Sequence, residues 1–379
     1  MKRVSLILFP CLLAVILAGL FVYPAFAHGA TISPTRCGKG WKVVSSPNKD
    51  GSNPYPNDLY NVAAISANDV WAVGNYAVPG RNGEVVHALT EHWNGTAWSI
   101  VPTASAKGDY FYGVAAVATN DVWAVGGVTV SGTFKTLIEN WNGTSWSIVP
   151  SPNHGWFPIL YSVAAVSASD IWAVGLTHAS DHVTFQPLIE HWNGTAWSIV
   201  ASSAPSGSVS LSGVTAVSST DVWAMGVVMN GAAGQPLIEH WDGTSWTIVA
   251  NPTLNGALSG VAAVSATDIW AVGALYSQSA ILIEHWNGTK WKVVQGPNAS
   301  GGLGAVSVVS KNNVWAVGNG LNGTLIVHWN GTTWKTVSSP SVSHSLLSGL
   351  TAVPGTTSLW TVGTYSSKRV GRTLTEFHC

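Results

Sequence analysis

Charge is the scarcest property of this sequence. Only 9% of its 379 residues are Asp, Glu, Lys or Arg, against about 25% in an average soluble domain. The 16 basic and 17 acidic side chains leave a formal net charge of −1, so no long-range field draws the chain to nucleic acid or to an anionic membrane surface. Cysteine is almost absent, with 3 in the chain. Beyond the N-terminal apolar run no segment is long and apolar enough to span a membrane. What the chain has in excess is tryptophan, 21 in all, together with 40 glycines. Disordered chains lack such large groups to bury. The chain therefore folds, and Ser, Thr, Asn and Gly supply most of its polar surface.

The N-terminus has the composition of an export signal. Met1-Lys2-Arg3 is a short basic start, residues 4–22 are almost wholly apolar, and Ala25 and Ala27 form an Ala-x-Ala site. This pattern predicts a signal peptide over 1–27, cleavage after Ala27, and a secreted, extracellular protein. An uncleaved anchor is the alternative, because the run is nearly long enough to cross a bilayer. The mature chain then comprises a short lead, 28–36, and one repeat array, 37–379.

Seven copies of Trp-Ala-Val-Gly or a close variant begin at Trp71, Trp123, Trp172, Trp223, Trp270, Trp315 and Trp360. Each follows a small-residue segment such as LSGVAAVSATD (258–268) and precedes a segment of the form LIEHWNGTAWSIV (188–200). Trp156 alone among the tryptophans lies outside these pieces. Each unit reads as four strands. LYNVAAIS (59–66) is the first, and VWAVG is an apolar second strand covered on both faces. LIEHW is the third and AWSIV the fourth. Asn-Gly between the last two predicts a tight hairpin turn, because both residues tolerate positive φ. Four antiparallel strands every ~50 residues, seven times over, describe a seven-bladed β-propeller.

The repeat also decides what its polar residues do. Glu recurs at 91, 139, 190, 239, 284 and 376 within a buried strand. A lone buried carboxylate is costly, so each is expected to accept hydrogen bonds from backbone or indole N–H groups. Six equivalent copies cannot all be one catalytic acid. The neighbouring His at 92, 191, 240, 285 and 328 and the Asp at 69, 121, 170, 221 and 268 are structural on the same argument. Asn-Gly-Thr at Asn94, Asn142, Asn193, Asn287, Asn322 and Asn330 matches the glycosylation sequon, but turn chemistry explains the repeated ones without any sugar.

DVWAVGG (121–127), LIENWNGT (137–144) and WSIVPSP (146–152) together resemble the kelch / galactose-oxidase-like propeller repeat. The likeness spans 37–379, and most copies carry a single Gly where that family has two. WDGTSW (241–246) is similar to the Asp-box of sialidase propellers, but one residue short. Enzymes of these families would need specific sites. A galactose-oxidase-like copper centre would need a Tyr crosslinked to Cys, and the mature chain has only Cys37 and Cys379, at its ends. A sialidase would need an arginine cluster from Arg36, Arg81, Arg369 and Arg372. No cofactor and no metal site is expected.

Once the repeated positions are removed, few groups remain. The loops between second and third strands, and those between blades, emerge on one face and vary in sequence. Function usually sits on such loops. HASDH (178–182) could present His178, Asp181 and His182 to a metal with His154, although its spacing matches no defined site. A glycosidase would need a carboxylate pair from Asp50, Asp58, Glu84 or Asp109. The second residue of the first strand is Tyr60, Tyr112 and Tyr161 in blades one to three. It is Ser212, Ser259, Gly304 and Ser348 in blades four to seven. Three neighbouring blades thus place an aromatic at one height around the channel mouth, with Trp156 nearby and the cations Arg81, Arg369 and Arg372 beside them. This pattern points to a non-catalytic binding module, acting as a monomer on an extracellular glycan or protein. An extracellular carbohydrate-active enzyme is the alternative.

The last unit ends at LTEFHC (374–379) without a fourth strand. CGKGWKVVSSPN (37–48) matches WSIVPSPN, so residues 41–45 are expected to complete the seventh blade and remove its open edge. Cys37 and Cys379 both fall on the turn-Asn position, and export removes Cys11, which predicts a disulfide between the remaining two. Such a bond would contribute about 2–5 kcal/mol. A thiol assay of the mature chain without reductant should find no free thiol, and two would refute the pairing.

Overall fold

The computed structural model describes residues 40–49, 55–80, 83–105, 108–231, 233–321, 323–340, 344–367 and 370–379. Cys37, Asp50, Arg81, Asn322 and Arg369 fall outside them, as does the signal segment. Among the described residues all regular structure is β. Seven four-stranded antiparallel sheets succeed one another. Each inner strand packs against that of the next blade, and the last packs against the first, which closes the ring. In blade one the strands are Asn57–Ser66, Asp69–Gly80, Gly83–Trp93 and Trp98–Ile100. The seventh blade takes Ser345–Ala352, Leu359–Ser367 and Val370–His378 and is completed by Trp41–Val44. Trp41 pairs with His378 and Val44 with Thr375, so the ends of the ring meet as expected.

Tryptophan holds blade to blade. In six of the seven blades the indole of the Trp-Ala-Val-Gly second strand packs between the two hairpin tryptophans of the following blade. Trp71 meets Trp141 and Trp146 at 4.9 and 5.3 Å between ring centroids. Trp172 meets Trp241 and Trp246 at 4.9 and 5.4 Å. Trp360 meets Trp93 and Trp98 at 4.9 and 5.2 Å across the seam between blades seven and one. Each tilted or edge-on pair adds about 0.5–1.5 kcal/mol beyond the area it buries. At the closing blade His378 stands in the hairpin-Trp position and stacks on Trp315 and Trp41 at 4.7 and 5.2 Å.

The glycine that ends Trp-Ala-Val-Gly is dictated by backbone contact. A Cβ on Gly226 would lie 1.9 Å from the Ser210 carbonyl oxygen, and the other six blades repeat the clash at 1.8–2.1 Å. The carbonyl comes so close because the inner strand bulges just beyond it. The register slips between Leu211 and Gly213, and equivalent slips occur in all seven blades, as at Leu59/Asn61 and Phe111/Gly113. The extra residue is the channel-facing one: Tyr60, Tyr112, Tyr161, Ser212, Ser259, Gly304 or Ser348.

The hairpin turn differs from the two-residue Asn-Gly form. Trp192 pairs with Trp197, leaving a four-residue loop in which Gly194 takes φ +91° and Asn193 is not left-handed. Asn193 Oδ1 accepts from the Thr195 N–H, the Thr195 hydroxyl and the Ala196 N–H at 3.0, 2.8 and 3.0 Å. Three donors converging on one side-chain oxygen need the longer loop. Asp242 fills the same slot with the same bonds in blade four.

The buried glutamates clamp the chain where it crosses between blades. Ser46 donates to Glu91 at 2.5 Å, Ser151 to Glu190 at 2.6 Å, Ser202 to Glu239 at 2.7 Å and Ser339 to Glu376 at 2.9 Å. Glu139 accepts the N–H groups of Ala104 and Ser105 at 2.9 and 2.8 Å. Serine hydroxyls thus replace most of the expected donors, and no indole takes part. Where an indole does bond, it points to a turn carbonyl, as Trp93 does to Ala67 at 3.1 Å, or to the turn acid, as Trp123 does to Asp121 at 2.7 Å; others, such as Trp71, Trp98 and Trp172, are buried in ring contacts with no hydrogen-bond partner. The repeated His bonds that same acid, as His191 does Asp170 at 2.8 Å, and stacks on the second-strand Trp, 4.2 Å away in blade three.

Two expected outcomes follow from this packing. Gly226→Ala should lower the melting temperature sharply, because backbone rather than a flexible side chain blocks the new methyl; a near-native transition would refute the contact. The second concerns pH. Burial pushes Glu91 up to about 8, against the Ser46 hydroxyl, and raises Glu190, Glu284 and Glu376 to about 7. The folded state therefore keeps protons that the unfolded state loses near its ordinary value of 4.5. That stability is fully present below about pH 4.5 and is lost as pH rises through 7 to 8. Asp181 and Asp242, held at about 2 by hydrogen bonds, act in the opposite sense only below their ordinary 3.8. The melting temperature should rise from pH 8.5 to pH 5, and Glu91→Gln should flatten part of that slope.

Candidate functional site

The bulged residues converge on the propeller axis. They line the mouth of a central cavity of about 250 Å³. Tyr60, Tyr112 and Tyr161 form one side, with ring centroids 5.3 Å apart for the first pair and 5.4 Å for the second. Ser212, Ser259, Gly304 and Ser348 form the other. Below them comes a tier of small residues such as Gly213 and Gly260, then an apolar tier that includes Val114, Val163 and Val214. The tiers are set by close strand packing: a Cβ on Gly260 would lie 2.8 Å from the Gly304 carbonyl oxygen of the next blade.

The three tyrosines are half-buried. Burial raises the Tyr60 phenol well above its usual range, with Asp58 and the neighbouring tyrosines adding to the effect. Burial also raises Tyr112, helped by Tyr161 and Tyr110. Both phenols are therefore neutral at physiological pH.

From the channel the aromatic surface continues outward over the variable face of blades two and three. Tyr112 stacks on Tyr110 at 6.3 Å, Tyr110 meets Phe134 at 6.4 Å, and Phe134 stacks on Phe157 at 5.4 Å. Phe157 meets Trp156 at 4.5 Å, and Trp156 lies 3.8 Å from His182. Trp156 is 45% exposed, high for its size. Phe157 and His182 both sit in the left-handed region, at φ 51° and 60°. Side-chain-bearing residues rarely hold that conformation without support, and such strain gathers at ligand sites.

The other candidate residues are dispersed. Arg81, Lys368 and Arg369 lie outside the described residues. Arg372 is half-buried in the third strand of blade seven, opposite Tyr365, and engaged there. Asp58 and Asp109 open inner strands rather than sitting in loops. Thr364 donates to Asp58 at 2.8 Å, and Asp109 is sealed at 1% exposure. Glu84 is exposed at the start of a third strand. HASDH folds as a capped turn: Asp181 accepts from Val183 and Thr184, and His178 Nδ1 meets the His182 carbonyl. Among the described residues no cluster of three or more His, Cys, Asp or Glu is arranged to hold a metal. No helix among them is long and apolar enough to cross a membrane.

Sequence reasoning placed the tyrosines at one height but missed what aims them. The signal was present. Leu59 and Val62, like Phe111 and Val114, enter one core cluster although they are three residues apart. A straight strand puts residues two apart on one face, so an odd spacing requires a bulge. Phe134, the link between Tyr110 and Phe157, was missed because nothing in its own strand marks it.

No protein-family model matches the chain, and no curated relative matches it. Solved structures do. One described as "YCF48 bound to D1 peptide" superposes with a TM-score of 0.57 at 14% identity, over 90% of this chain and 97% of that one. "YCF48 from Cyanidioschyzon merolae" superposes with a TM-score of 0.58 at 16% identity, over 89% and 99%. At these identities the likeness is one of fold: this chain is a seven-bladed β-propeller with the layout of those structures.

Proposed function

We propose that the protein is a secreted, non-catalytic binding propeller, related to the kelch / galactose-oxidase-like repeat, that engages an extracellular glycan or protein through its variable face. The observation that carries this reading is the unbroken aromatic path from Tyr60 in the channel mouth to the exposed Trp156. Rings offer wide apolar contact at little cost in conformational entropy, and Tyr and Trp add a polar tip, the combination that anchors sugars and protein partners. A solved propeller of the same layout is described as bound to a peptide, which makes a polypeptide ligand chemically reasonable here. Export is supported by the Ala-x-Ala segment. The Cys37–Cys379 bridge belongs to the same reading. It is supported by the pairing of Trp41 with His378, the residue before Cys379.

The test is a binding screen of the mature chain against immobilised glycans and extended peptides. Tyr112→Ala and Trp156→Ala should each weaken the best ligand by about tenfold or more, the equivalent of ~1.4 kcal/mol, with melting temperatures close to the parent. Unchanged binding in both variants, or a large loss of stability with no ligand from either class, would overturn the reading.

A further inference from the structure

Resting on the binding-module reading, we infer that the channel mouth takes one uncharged, hydroxyl-rich ring, the terminal sugar residue of a neutral glycan inserted end-on. Among the described residues the cavity wall carries no Asp, Glu, Lys, Arg or His. A uronate, sulfate or ammonium group entering it would lose hydration without meeting an opposite charge on the wall. A purely apolar ligand is disfavoured for the opposite reason. Among the described residues the hydroxyls of Tyr60, Tyr112, Ser212, Ser259 and Ser348 take no protein partner, although all five residues line the cavity. Covering them with hydrocarbon would strand them. Ser162, one tier down, shows the contrast: its hydroxyl is committed to the Val214 N–H at 3.2 Å.

A sugar ring matches both sides of this asymmetric mouth. Its C–H face can lie on the tyrosine wall, and its hydroxyl edges can reach the serines across the axis. The two tyrosines with raised phenols remain neutral donors and acceptors throughout the physiological range. Size limits the insertion to one unit. A volume of about 250 Å³ lies below the ~300–1,000 Å³ of pockets for drug-sized ligands. The valine tier beneath gives no polar partner to a second ring. Further units of the glycan would leave along the aromatic path toward Trp156.

The experiment is ligand-observed NMR on the mature chain. The probes are neutral trisaccharides of glucose, mannose, galactose and N-acetylglucosamine, a trigalacturonate, and a random-sequence extended peptide pool. At least one neutral trisaccharide should bind, with its non-reducing terminal ring receiving the strongest transfer. Its affinity should change less than about twofold between ~0.05 and ~0.5 M salt, since no ion pair is screened. The triple variant Ser212→Ala, Ser259→Ala, Ser348→Ala, and separately Ser259→Tyr to fill the mouth, should each weaken it about tenfold or more while leaving thermal unfolding near that of the parent. Preference for trigalacturonate, or neutral-sugar binding untouched by both channel variants, would overturn the inference. Peptide binding that depends on Tyr112, with no saccharide bound, would sink the sugar assignment and leave the binding-module reading standing. Failure of every probe would count against both.

Discussion

The structure depends on indole packing between sheets. A four-stranded blade cannot bury its own faces, so each must be covered by a neighbour, and the ring is stable only when the last face meets the first. The second-strand Trp supplies that contact by sitting between the two hairpin tryptophans of the next blade, and Trp360 makes it across the seam with Trp93 and Trp98. The seventh blade has no hairpin of its own at this point. Trp41 arrives from the other end of the chain, and His378 takes the remaining place against Trp315. The low charge of the chain follows from the same demand, since broad flat faces must be covered on both sides of most blades.

A second regularity sits on that packing. Where the chain steps from the outer strand of one blade to the inner strand of the next, its crossing segment must be fastened. Five of the six buried glutamates do this with serine hydroxyls or backbone N–H groups, as Glu91 with Ser46 and Glu139 with Ala104 and Ser105, whereas Glu284 makes no such bond. Blade six departs from the pattern, with Val327 at the glutamate position, fully buried. The repeated polar residues are thus consumed by architecture. The His–Asp pairs are similar: His191 is fixed by Asp170 on one side and by Trp172 across its ring face.

Because packing and clamps are satisfied elsewhere, the bulged position of the inner strand is free to vary. The bulge turns that side chain to the axis in every blade, yet nothing in the blade requires a particular residue there. Tyrosines occupy it in blades one to three, and small or hydroxylated residues in the rest. A seven-fold scaffold thereby carries an asymmetric mouth, and the aromatic path over blades two and three extends the asymmetry to the rim. Strain at Phe157 and His182 marks the end of that path farthest from the axis.

The sequence alone determined the blade count, the strand order and the closing strand, because each is written as a short-range pattern that recurs. Periodicity survives without knowledge of contacts. It also placed Tyr60, Tyr112 and Tyr161 at equivalent positions. The four-residue turn was not legible, because Asn-Gly is compatible with more than one loop and only Trp192 facing Trp197 selects between them. Nor were the serine partners of the glutamates, which lie on the preceding crossing segment some 37 to 45 residues away along the chain. Tertiary structure alone decided that Phe134 joins Tyr110 to Phe157, and that Asp109 is sealed while Trp156 is exposed. Those outcomes depend on which blades adjoin and on how the bulge turns each chain toward the axis, and both are properties of the closed ring rather than of any single repeat.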